Sequence, residues 1–183
     1  MKKRDALGGL LTPFGITQLL MLAAVGVALF LAYGPWRQTQ MRDAVREQFP
    51  TVMGIESGML AKWLAIRDAQ QPVILDVRTQ AEFDVSHLPS AVHTAPSATP
   101  TSLGFDGKLD TPFVVYCTVG FDSASYALSL LQRGYKRVQI LDGGIYQWAN
   151  EHRALEGKLG GGGLVRLGNN GYSSLLDLAR RAP

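Results

Sequence analysis

Residues 112 to 135, PFVVYCTVGFDSASYALSLLQRGY, constrain the fold more than any other stretch of the chain. Phe113 to Tyr116 is a short β-branched and aromatic run behind Pro112, the pattern of a buried strand. Gly120 permits a tight turn, and Ser123 opens a helical pattern with an apolar stripe at Ala124, Ala127, Leu128 and Leu131. Gly134 stands where a helix C-terminal glycine is expected. A strand, a short loop and a helix in this order predict an α/β unit. Its loop lies at the carboxyl end of the strand, where open parallel sheets place their sites.

That loop begins with Cys117, the single cysteine of the 183 residues. Two readings of it stand side by side. A free cysteine often does no more than end a core strand. At the mouth of a helix N-terminus, however, loop amides and the helix dipole favour a thiolate and any anion attached to it. On the second reading the thiol is expected to ionise below the ordinary cysteine value of about 8.5.

The neighbours of Cys117 add a resemblance. C-T-V-G-F-D-S resembles the active-site loop of the rhodanese family, typically C-x-x-G-x-R-S, with Cys117, Gly120 and Ser123 on its fixed points. Asp122 stands where that family usually has arginine or another cation. VILDVR (Val73 to Arg78) looks like the family's first core strand. Glu82-Phe83 and His87-Leu88-Pro89-Ser90-Ala91 resemble its E-F/Y-x-x-G-H-I-P-G-A segment, with Ser86 and Ser90 in place of two glycines. Gly134-Tyr135 and Val138 to Trp148 are similar to its last strand, glycine turn and tryptophan-bearing helix. The resemblance covers about residues 52 to 156. It implies an α/β fold, a rhodanese-like open parallel sheet flanked by helices. It also implies sulfur transfer through a Cys117 persulfide, cradled by Thr118, Val119, Gly120, Phe121, Asp122 and Ser123. The donor would be a small sulfane-sulfur compound and the acceptor a thiol or cyanide, with no cofactor. Asp76, Arg78, Glu82 and His87 are then a structural set beside the site.

Charge is divided along the chain. Residues 1 to 51 carry six Lys/Arg against three Asp/Glu, residues 52 to 156 eight against eleven, and residues 157 to 183 four against one. The basic flanks suit an anionic lipid surface, and the acidic middle argues against nucleic acid. Phe14 to Tyr33 is an uncharged run of twenty residues behind a basic tip, Lys2, Lys3 and Arg4. At about 1.5 Å per residue it spans a hydrocarbon core of about 30 Å, so one transmembrane helix is expected before the domain. Lysine and arginine tie across the span. The tighter N-terminal cluster tilts the expectation towards an exported domain, with a membrane or protein thiol as partner.

The remaining expectations are local. Residues 34 to 51 read as a juxtamembrane segment, in which Arg37 to Phe49 is either a helix, with Met41, Val45 and Phe49 at fourfold spacing, or a solvated spacer. Ser57 is expected to cap a helix from Met59 to Ala69 with Leu60, Trp63, Leu64 and the stem of Arg67 inward. Residues 94 to 112 read as a long loop. Residues 157 to 183 read as a flexible glycine linker, Lys158 to Gly163, followed by a short helix from Ser173 to Arg181. Three histidines and one cysteine show no metal-ligand spacing. A phosphatase loop, C-x5-R, is excluded because Ser123 occupies the arginine's place. Two functions remain open, a membrane-anchored sulfurtransferase and a tethered binding or thiol-sensing module.

Overall fold

The computed structural model describes residues 13–66, 71–95, 97–105, 107–169 and 171–183. The chain forms two compact units, Met1–Arg37 and Gln38–Pro183. The first holds most of helix α1 (Pro13–Gln48), which is long and apolar enough to cross a membrane. Phe14, Leu20, Met21 and Leu22 are all exposed on it. The basic tip at Lys2 to Arg4 lies outside the described residues.

The second unit is built on a five-stranded, all-parallel sheet. Its strands are β1 (Met53–Ile55), β2 (Val73–Asp76), β3 (Val92–His93), β4 (Pro112–Tyr116) and β5 (Arg137–Leu141), in the order β1-β5-β4-β2-β3. Helices α2 (Ser57–Ala65), α3 (Gln80–Val85), α4 (Phe121–Gln132) and α5 (Gly144–Asn150) connect them. Strand β4 is central and buried on both faces, which is why it reads as an unbroken apolar run. The two-residue repeat of a strand sends Phe113, Val115 and Cys117 into one core cluster with Leu75, Val77 and the α4 residues Ala124, Ala127 and Leu130. Val114 and Tyr116 enter the other cluster, with Ile74, Leu141, Ile145 and Trp148. The expected open parallel sheet flanked by helices is the observed fold.

Several local expectations are corrected. Helix α2 begins at Ser57, the cap position is Glu56 with no side-chain cap bond, and Ser57 Oγ donates to Glu151 at 2.5 Å. This helix closes at Ala65, and the part of the expected span from Arg67 to Ala69 lies outside the described residues. Helix α4 starts at Phe121, with Gly120 rather than Ser123 at its mouth. Within residues 94 to 112 a short 3-10 turn, Pro100–Leu103, interrupts an otherwise irregular path.

The tail packs onto the domain. The glycine run is a packed turn and not a linker: Gly160 is buried, and the amides of Lys158 and Leu159 donate to Asp84 O and Val85 O at 3.1 and 2.8 Å. Ser173 to Arg181 forms two 3-10 turns, Ser173–Leu175 and Leu178–Arg180, rather than one helix. The reason is Asn150, whose side chain takes Leu175 O at 2.8 Å and Asp177 N at 3.0 Å, groups that a continuing helix would need. Val165, Leu175 and Leu176 are core residues, while Leu178 is exposed. Packing therefore continues past residue 156 without a break. At the other end Val45 is buried, and Met41 and Phe49 pack against the two core clusters. Each such side chain contributes about 1.5–3 kcal/mol when fully buried.

Candidate active site

The loop after β4 is held from behind by α5. Ile145 N donates to Cys117 O at 3.0 Å and Tyr146 N to Thr118 O at 3.3 Å. That approach needs Gly144, at φ 60: a Cβ there would stand 2.5 Å from both carbonyl oxygens. Gly120, at φ 134, turns the chain into α4, and its N–H donates to Cys117 Sγ at 3.1 Å. Ser123 is buried in the first turn and its hydroxyl donates to Gly120 O at 2.9 Å.

The expected cradle of amides from Thr118 to Ser123 is thus narrower than the sequence suggested. Cys117 is 1% exposed, and burial pushes its thiol above the ordinary cysteine range. The Ser123 amide and hydroxyl and the Gly120 amide pull it down, and the charge of Asp122 adds to the rise. Burial wins, which corrects the expectation of a lowered value. Val119 is buried in the opposite core cluster, and Phe121 stacks on Tyr172 with ring centroids 6.2 Å apart. Asp122 is exposed in the first turn of α4; the cap position belongs to Gly120, so Asp122 is not the helix cap.

A cavity of about 540 Å³ opens beside the loop, lined among others by Arg78, Glu82, Thr118, Asp122, Tyr126 and Asn169. It starts one residue beyond Cys117, which does not line it. The cavity brings together four of the site residues singled out in the sequence, Arg78, Glu82, Thr118 and Asp122, with others that were missed, Tyr126 and Asn169 among them. Tyr126 had a signal, its place in the α4 pattern; Asn169, brought in by the tail, had none.

The floor next to this cavity is ionic. Arg78 makes a two-pronged bond to Asp76, Nε to Oδ1 at 3.0 Å and Nη2 to Oδ2 at 2.6 Å, and Nη2 also reaches Ser86 O at 2.6 Å. Burial works against the arginine's charge, but the bonds and charge of Asp76 outweigh it and raise its pKa. Nη1 is buried without a partner among the described residues. Glu82 does not join this ion pair. It closes a capping box with Thr79, accepting Thr79 N at 3.1 Å while its own N–H donates to Thr79 Oγ1 at 3.3 Å. His87 lies apart from the cavity, its Nδ1 2.8 Å from Phe83 O and its ring stacked on Phe83. Ser90 adopts φ 59, the left-handed conformation that favours the glycine of the resembling segment. Among the described residues no three His, Cys, Asp or Glu side chains converge as a metal site.

Known proteins share this sequence pattern and this fold. The family described as "Rhodanese-like domain" matches residues 60–151. A sulfurtransferase of Allochromatium vinosum is 35% identical over 95 residues, covering 52% of this chain and 86% of that protein. The thiosulfate sulfurtransferase GlpE of Coxiella burnetii is 34% identical over 80 residues, covering 44% of this chain and 74% of its own length. Among solved structures, the BH2092 protein of Bacillus halodurans superposes with a TM-score of 0.56 at 22% identity, over 73% of this chain and 97% of that one.

Proposed function

This chain belongs to the rhodanese-like domain family, and on that footing we propose that it moves a sulfane sulfur through Cys117. The Cys117 thiolate attacks the outer sulfur of a donor, an S–S bond forms, and the donor's remaining fragment leaves with the electron pair (sulfite, in the case of thiosulfate). A thiol or cyanide then attacks the terminal sulfur of the persulfide, and the thiolate returns. The two steps balance without an added oxidant or reductant. The observation that carries the reading is the Gly120 amide on Sγ at 3.1 Å, at the mouth of α4. An added sulfur bearing negative charge would sit among the same Gly120 and Ser123 groups that already favour the thiolate.

The cavity next to the loop supplies the charges that a donor or acceptor meets on its way to the thiol. Arg78 is the one cation among its lining residues, and Asp122 and Glu82 are its anions. That balance supports donors of low charge, polysulfides or protein persulfides, over dianionic thiosulfate. The exposed apolar side chains of residues 14 to 29 support anchoring in a lipid bilayer, and the tighter basic cluster Lys2, Lys3 and Arg4 is what favours an exported domain. Full chain is then expected to resist carbonate extraction from membranes, and release by salt alone overturns the anchor.

A second reading, a tethered binding or thiol-sensing module, is favoured by the buried thiol. Intact-mass measurement separates the two. Gain of one sulfur from a donor, its loss on adding cyanide and its absence in Cys117→Ala are the outcomes expected of the enzyme. No gain from any donor decides for the module.

A further inference from the structure

Residues 38 to 49, the last turns of α1 and the residue after it, lie across the Cys117 loop. Val45 is 3% exposed, and its Cγ2 stands 3.2 Å from where a Cβ on Gly120 would be. Gly120 is the residue whose amide holds the sulfur. On the other side of the loop Arg46 Nη2 pairs with Asp142 Oδ2 at 2.7 Å. Asp142 directly precedes Gly143 and Gly144, the turn that holds the Cys117 backbone from behind. Met41 packs near Val119, in the other core cluster. The segment therefore touches the loop at its central glycine and the loop's support at its acidic end.

We infer that residues 38 to 49 are a removable lid, and that donor and acceptor reach Cys117 when it lifts. This rests on the reading of Cys117 as a sulfur carrier. A persulfide must project one sulfur beyond Sγ, yet the thiol is 1% exposed, in the same buried cluster as Val45. The seat is light enough to open. One fully buried valine, four partly buried side chains (Gln38, Met41, Arg42 and Phe49), a 3.5 Å hydrogen bond from Gln38 Nε2 to Leu175 O and an ion pair with a 56% exposed arginine hold it, and Asp43, Ala44, Glu47 and Gln48 face solvent. A segment with so few buried contacts opens locally before the domain unfolds.

The test uses full chain in detergent micelles and the neutral electrophile iodoacetamide, which needs no sulfur chemistry. Cys117 modification is followed by intact mass, with hydrogen exchange of residues 38–49 and the thermal midpoint recorded alongside. Val45→Ala is expected to speed modification at least tenfold and Arg46→Ala about threefold. Ala44→Glu, on the solvent face, is expected to leave the rate as it was. An unchanged rate in a variant whose 38–49 amides exchange faster overturns the lid. So does a wild-type rate that follows global unfolding in denaturant. If Val45→Ala melts too low to study, Arg46→Ala alone decides by the same two criteria. Faster alkylation with no sulfur loading from any donor removes the sulfur-transfer reading and leaves the lid standing.

Discussion

Strands β2 and β4 lie side by side, with Asp76 opposite Tyr116, and each ends in a buried reactive group. They solve burial in opposite ways. After β2, Arg78 is neutralised by Asp76, two residues back, and by Ser86 O, eight residues on. After β4, Cys117 receives one amide at 3.1 Å and is otherwise treated as a small apolar group. A buried charge must find partners at once, and local partners make a rigid floor. A buried thiol tolerates an apolar cover, and Val45, far away in the sequence, belongs to the cluster that supplies it. The ionic end is fixed, while the thiol end is closed by something that is able to leave.

The largest effect is expected at the ionic end. Arg78→Ala leaves Asp76 buried without its cation and should cost about 3–5 kcal/mol, read as a fall in the urea midpoint of the domain. Arg78→Lys should recover only part, since an ammonium cannot repeat the two-pronged bond. Cys117→Ala removes one small apolar contact and should cost about 1 kcal/mol. Equal losses in Arg78→Ala and Cys117→Ala would end the contrast.

The next effect concerns what makes the thiol loop firm despite its sparse bonding. Gly144→Ala puts a methyl at φ 60 against the carbonyls of Cys117 and Thr118. A loss of about 1–3 kcal/mol is expected, together with chemical-shift changes at Cys117 and Gly120 in amide spectra. Stability close to wild type with an unmoved loop would show that α5 does not hold it.

These contrasts explain what was legible in the sequence. The alternation through Phe113, Val115 and Cys117 gave the strand and the face of the thiol, because the two-residue repeat follows from backbone geometry alone. Thr79 and Glu82 carried the spacing of a capping box, yet Glu82 reads equally as an ion-pair partner of Arg78 until the local turn is built. Met41, Val45 and Phe49 announced an apolar face, but periodicity does not name what a face packs against. The glycines near Gly160 looked like a linker because they have no side chains to betray contact; their amides and backbone do the packing. Asn150 ends the tail's helix through two hydrogen bonds across 25 and 27 residues, and no local pattern encodes those.

A smaller effect should appear in the pH dependence of Cys117. Burial raises its pKa in the folded chain, so at pH 7 the thiolate fraction falls below that of a free cysteine, whose value is about 8.5. Alkylation of folded protein at pH 7 is expected to be at least tenfold slower than after unfolding. The sign for stability follows from linkage. The folded state holds its proton more firmly than the unfolded one, so this stability is fully present below the unfolded value and is lost as pH rises through the folded one. Urea midpoints of wild type and Cys117→Ala should therefore converge on the alkaline side. Opening the lid with Val45→Ala removes the main cause of the rise, and the alkylation profile should move to lower pH. A profile that moves upward in that variant would mean that burial is not what holds the proton.

The smallest effect is expected at Asp122, on the rim between the two strand ends. It is exposed, lines the cavity with Arg78 and Thr118, and its charge acts on Cys117 against the thiolate. A unit pair at 4 Å is worth about 1 kcal/mol in water and about 4 kcal/mol near a protein surface. An exposed carboxylate belongs near the lower figure, which corresponds to about fivefold in rate. Asp122→Arg is therefore expected to raise turnover with dianionic thiosulfate about fivefold at low ionic strength. The gain should shrink between about 0.01 and 0.15 M salt, as the screening length falls from about 30 to about 8 Å. A neutral or monoanionic polysulfide should gain much less. Gly120 and not Asp122 holds the cap position of α4, so no cap bond is lost, but a cation in that first turn opposes the helix dipole and should lower stability by about 1 kcal/mol; that loss touches both donors alike, which separates it from a charge effect at the site. Equal gains for both donors, insensitive to salt, would mean that the rim charge takes no part in choosing the donor and that selection lies with the lid and the thiol alone.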